Sequence, residues 1–153
     1  AQPLVSFHYG KGEYRACDTL LRYALTTVCI LAPALFLGLY LFAPQLVRAY
    51  LSHADAALVA YSVGAFRHYS VSYLLLGFNV VAGGFMTALE RPVPAICISV
   101  GRGLVLQSAV LLLLAALFGG DALWYTPILS EGLCLILSVF ALRRYRRAVR
   151  ANL

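Results

Sequence analysis

Glu131 stands inside an otherwise apolar run, Ala122 to Leu142, roughly the 20 residues that a bilayer core demands of a helix. A carboxylate at that depth costs at least about 2.5 kcal/mol, so it faces a partner or a watery cavity. Its natural chemistry there is the binding and release of a cation or a proton. Three further polar positions fall inside apolar runs. Asn79 lies near the middle of one, Gln107 (followed by Ser108) lies in the next, and Arg102 precedes Gln107 by five positions. Amides at such places either bridge helices or touch a solute. Arg102 falls about one turn inside the membrane edge when its run is counted back from Phe118, so snorkelling accounts for it; a role for its charge is the alternative. Glu131, Asn79, Gln107 and Arg102 are the candidates for substrate or ion binding.

Patterns that carry enzyme chemistry are absent. The sequence contains no HExxH, no GxSxG, no P-loop and no close pair of acids within an apolar run. Gly10-Lys11-Gly12 has no strand before it and reads as a tight turn ahead of a helix, not as a dinucleotide site. Cys17, Cys29, Cys97 and Cys134 form no CxxC and no metal-ligand spacing with His8, His53 or His68. They read as buried free thiols. No catalytic residue, metal or cofactor is expected.

The elements that must hold these residues follow from composition. The 153 residues are 62% hydrophobic and only 12% charged, about half the charge of a soluble domain. Between Tyr23 and Leu142 the only Asp, Glu, Lys or Arg residues are Arg48, Asp55, Arg67, Glu90, Arg91, Arg102, Asp121 and Glu131. The fold class is an all-α integral membrane protein with four transmembrane helices. The first span covers about 16–43, with Pro33 inside it as a kink. Pro44 then opens a short amphipathic segment, Gln45 to Leu51. A helical stretch from Asp55 to Leu89 carries the second span, about 69–89, with Gly77, Gly83, Gly84 and Ala88 as small residues for close helix approach. The third covers about 94–118. The fourth covers about 122–142, with Pro127 near its start and Trp124 and Tyr125 at one interface.

Charge sets the orientation. With four spans both ends share one side, which holds Lys11, Arg15, Arg22, Arg91, Arg102, Arg143, Arg144, Arg146, Arg147 and Arg150; Arg48 and Arg67 lie opposite. Ten against two places both ends in the cytoplasm. The net charge of +6 could suggest a nucleic-acid partner. Five arginines packed directly behind an apolar helix instead read as a cytoplasmic juxtamembrane tail, 143–153, that also touches anionic lipid. No nucleic acid is expected as a partner. Residues 1–15 read as the end of a preceding helix and a cytoplasmic loop, and the chain as an internal or C-terminal piece of a longer protein.

Gln2-Pro3-Leu4-Val5-Ser6-Phe7-His8-Tyr9-Gly10-Lys11-Gly12-Glu13-Tyr14-Arg15 resembles the "QPlisfnyGagnyxr" segment of multidrug and toxic compound extrusion (MATE) transporters. In that family the segment ends the eighth helix and forms the loop before the ninth. Gly77-Phe78-Asn79 through Phe85-Met86-Thr87-Ala88-Leu89-Glu90-Arg91-Pro92 is similar to the tenth helix and its exit. Trp124 to Glu131 resembles the "vW.a.pisd" entry into the twelfth helix, with Glu131 at its acidic position. The resemblance covers essentially the whole chain and marks Gln2, Pro3, Gly10, Gly12, Pro33 and Pro127 as structural positions. It implies helices nine to twelve of a twelve-helix, two-lobed protein, a partial C-terminal lobe. It further implies Na⁺- or H⁺-coupled antiport that exports cationic, amphipathic compounds across the cytoplasmic membrane, in concert with the remaining N-terminal helices.

Two departures leave the coupling ion open. The third span has Gln107 where members often carry an apolar residue followed by proline, and the second offers Asn79 but no carboxylate. Two other readings remain. A related flippase for lipid-linked oligosaccharides would want a more cationic cavity, for which Arg102 is the sole candidate. A small four-helix membrane scaffold would account for the length. As a partial lobe, these 153 residues are not expected to transport alone.

Overall fold

A computed structural model describes residues 2–151, the side chains of 121, 150 and 151 excepted; among the described residues no strand occurs. Helix α1 (Gln2–Gly10) leads into α2 (Tyr14–Leu41), and a short α3 (Ala43–Tyr50) follows. Helices α4 (Ala56–Val71) and α5 (Tyr73–Ala88) come next, then α6 (Pro92–Val100), a π turn (Gly101–Leu106) and α7 (Gln107–Phe118). A 3₁₀ turn (Gly120–Tyr125) delivers the chain to α8 (Thr126–Ala151). Among the described residues four stretches are long and apolar enough to cross a membrane: Tyr14–Leu41, Ala56–Ala88, Pro92–Phe118 and Ala122–Val149.

Local chemistry sets the breaks. The chain re-enters a helix at Pro44, whose missing N–H costs nothing in a first turn. The α4–α5 boundary is one that hydrophobicity does not reveal, since 55–89 reads as a single helix. Ser70 Oγ donates to Arg67 O at 2.7 Å and Ser72 Oγ donates to Tyr69 O at 2.7 Å. Such hydroxyl bonds compete with the backbone ladder and bend helices. Pro33, by contrast, sits within an uninterrupted α2. The arginine-rich segment after Leu142 continues α8 as helix to Ala151.

Two helix exits share one hydrogen-bond scheme. After α1, Gly12 adopts φ 75° while Gly12 N–H reaches Tyr9 O and Glu13 N–H reaches His8 O. After α5, Glu90 adopts φ 54° while Glu90 N–H reaches Thr87 O and Arg91 N–H reaches Met86 O. Both are Schellman closures. Glycine takes that backbone freely, whereas glutamate holds it against its own Cβ.

Helix α5 is the axis of the bundle, touched by α1, α2, α6 and α8. Its Asn79, Ala82, Gly83, Phe85, Met86 and Ala88 are buried. Close approach depends on small residues. A Cβ at Gly77 would lie 2.8 Å from Val28 Cγ1 on α2, and one at Gly84 would lie 2.6 Å from Gln2 Nε2 on α1. Outside this core most large apolar side chains of α2, α7 and α8 remain exposed, Leu112 and Phe140 among them. In water such a surface would aggregate; in lipid it is the natural exterior.

The two ends differ in chemistry. At the basic end Asp18 accepts from Arg22 at 3.0 Å and from Arg146 at 2.9 Å, tying α2 to α8. At the aromatic end Trp124 Nε1 donates to Tyr61 OH at 2.8 Å, and the Arg67 guanidinium lies 4.9 Å from the Tyr40 ring centre.

Candidate ion-binding site

Helix α8 brings Glu131 to the bundle interior seven residues past Trp124 and twelve before Arg143. By helical rise those intervals are about 10 Å and about 18 Å, so the carboxylate lies closer to the aromatic end than to the basic one. Glu131 is 8% exposed and does not stand alone. Asn79 Nδ2, from α5, donates to Glu131 Oε2 at 2.7 Å and to Glu131 O at 3.0 Å. Arg102 Nη1, from the π turn, donates to Oε1 at 3.3 Å. Three of the four membrane-crossing stretches thus converge on one carboxylate.

Support comes from behind. Asn79 is 1% exposed, and its Oδ1 accepts from Ser138 Oγ at 2.8 Å. Ser138 follows Glu131 by two helical turns, so both face α5. The hydroxyl donor and the carboxylate acceptor together fix which way the Asn79 amide points. Gln107 is not in contact with the carboxylate but stands one step away. Its Oε1 accepts from Ser130 Oγ at 2.6 Å, joining α7 to α8 beside the site. Both amides therefore bridge helices.

Arg102 has a partner inside the bundle. It lies ten residues past Pro92, about 15 Å along the helix, and its head turns to Glu131 instead of to the basic interface. The π turn explains how. An i→i+5 turn inserts extra backbone and re-aims a side chain, and such turns recur at functional sites. Gly101 and Gly103 flank Arg102 within it. Ser130, Ser138 and the π turn were not singled out from the sequence. The glycine pair around an intramembrane arginine, and a serine seven residues after the acid, were the available signals.

Electrostatically the pair is asymmetric: 30% of the Arg102 side chain is accessible, against 10% for Glu131. The guanidinium keeps one side open while the carboxylate is enclosed. Removing either charge leaves the other unpaired, which at buried sites costs about 3–5 kcal/mol. Such an arrangement can hold one negative charge in low dielectric and exchange its cationic partner.

The thiols divide, contrary to the expectation that all are buried. Cys17 and Cys134 are enclosed, while Cys29 and Cys97 lie on the outer surface.

The MatE family model matches residues 1–118. The chain belongs to the MatE family. It is thus a multi-pass membrane protein of a transporter family. The matched stretch contains Asn79, Arg102 and Gln107 and ends before α8, so Glu131 and its two serines lie beyond it. No curated protein and no solved structure matches the chain.

Proposed function

We propose that this MatE chain is part of the C-terminal lobe of a two-lobed exporter. The exporter moves cationic, amphipathic compounds across the cytoplasmic membrane in exchange for Na⁺ or H⁺. The supporting observation is Glu131, buried and shared between an amide and a guanidinium from two other membrane-crossing stretches.

Coupled exchange needs a negative group that changes partners. With Arg102 as the resting partner, a coupling ion that reaches Glu131 takes over the charge and releases the guanidinium. A substrate cation does the same from the other direction. One carboxylate serves one cation at a time, so binding of each lowers the affinity for the other, and that reciprocity links the two gradients. Asn79 carries no charge and holds the carboxylate in both states.

Charge asymmetry between the two ends sets the proposed orientation. With Arg102 withdrawn to the interior, nine Lys and Arg residues stand at the basic end and two opposite. Both chain ends then face the cytoplasm. A flippase for a pyrophosphate-linked sugar would want a free cationic lining, and Arg102 is engaged by Glu131. Membership of a transporter family leaves a four-helix scaffold role without support. The test is Glu131→Gln in the complete transporter, expressed in an efflux-deficient host. Drug resistance should be lost at unchanged membrane abundance; unchanged efflux refutes the role.

A further inference from the structure

The arginines of the basic end are of two kinds. Arg22 and Arg146 are both engaged by Asp18, one on each carboxylate oxygen. Arg91 and Arg144 have no side-chain hydrogen bond or ion pair among the described residues, yet they stand at the rim of one groove between α6 and α8. The groove encloses about 590 Å³. Its walls are Val93, Cys97, Leu137 and Phe140, and all four face outward from the bundle.

From this juxtaposition we infer that the groove is a binding site for one anionic phospholipid. The phosphate sits between Arg91 and Arg144, and one acyl chain lies along Val93, Cys97, Leu137 and Phe140. Basic pockets between transmembrane helices hold acidic headgroups in this manner. Guanidiniums must do the work, because Pro92 and Pro94 remove two of the backbone donors that a helix start would otherwise present. Glu90 also lines the rim and offsets one of the two positive charges. The net +1 favours a headgroup of net charge −1. A second helix is a poor occupant, since an apolar segment would leave both arginines unpaired at the groove mouth.

The test uses the purified protein stripped of lipid in detergent. It is titrated with phosphatidylglycerol or with phosphatidylcholine of the same acyl chains, and bound lipid is counted by native mass spectrometry. One phosphatidylglycerol should be retained with a preference of about fivefold or more, the size expected of one uncompensated surface charge. Arg91→Gln with Arg144→Gln should abolish that preference. Arg143→Gln with Arg147→Gln removes two neighbouring charges that do not line the groove and should preserve it. Cys97→Trp fills the groove, leaves every charge in place and should lower occupancy by both lipids. A preference that survives the first pair, or falls equally in both pairs, overturns the site, the second result meaning a diffuse basic surface. Equal competition by soluble glycerophosphoglycerol overturns the lipid in favour of a free-phosphate site. Should the first pair lose its helicity, Cys97→Trp and the Arg143/Arg147 pair still decide.

Discussion

Glu131 is held by two donors of different kinds, and their separate removal should have different consequences. Arg102→Gln strips the counter-charge from an enclosed carboxylate, so thermal unfolding in detergent should show a loss of about 3 kcal/mol. Pairing Arg102→Met with Glu131→Leu removes both charges, and burying apolar groups instead of an ion pair is often neutral. That double variant should regain most of the stability while remaining inactive in export, which separates a structural ion pair from a functional one. If it exports, the carboxylate is structural. All four polar candidates were visible in the sequence because each interrupts an apolar run. Their pairing was not visible, and neither were Ser130 and Ser138. A serine in a membrane helix usually bonds to its own backbone, so its type alone does not point to a neighbour. The engagement of Arg102 was equally hidden, because a guanidinium near a span end reads as snorkelling until its partner is known.

At the scale of elements, the four apolar stretches could be read from composition, and their interruptions could not. The break at Ser72 and the π turn at Gly101–Leu106 change local register without changing hydrophobicity, so no periodicity announces them. Two substitutions test the local account. Glu90→Gly relieves a left-handed glutamate in the exit from α5 and should raise stability by up to about 1 kcal/mol, read as a higher midpoint of thermal unfolding. Gly77→Ala should have the opposite effect. Its new methyl meets Val28, a β-branched side chain with little rotamer freedom, and overpacking of this kind costs about 1–3 kcal/mol. Adding Val28→Ala should recover much of that loss, a coupling that a double-mutant cycle measures directly.

For the whole molecule, the proposed orientation makes Lys11 and His53 opposite-sided reporters, at the basic and aromatic ends. With the native cysteines replaced, His53→Cys should react with an impermeant maleimide in intact cells. Lys11→Cys should react only after permeabilisation. The proposed exchange has one carboxylate alternate between Arg102, the coupling ion and the substrate. It is tested most directly by measuring the affinity of the purified complete transporter for a cationic substrate while pH is lowered or Na⁺ is raised. The wild-type affinity should weaken along one of the two axes, and Glu131→Gln should flatten that dependence. A Glu131→Gln variant whose affinity still responds to the same ion as steeply as the wild type would contradict the account.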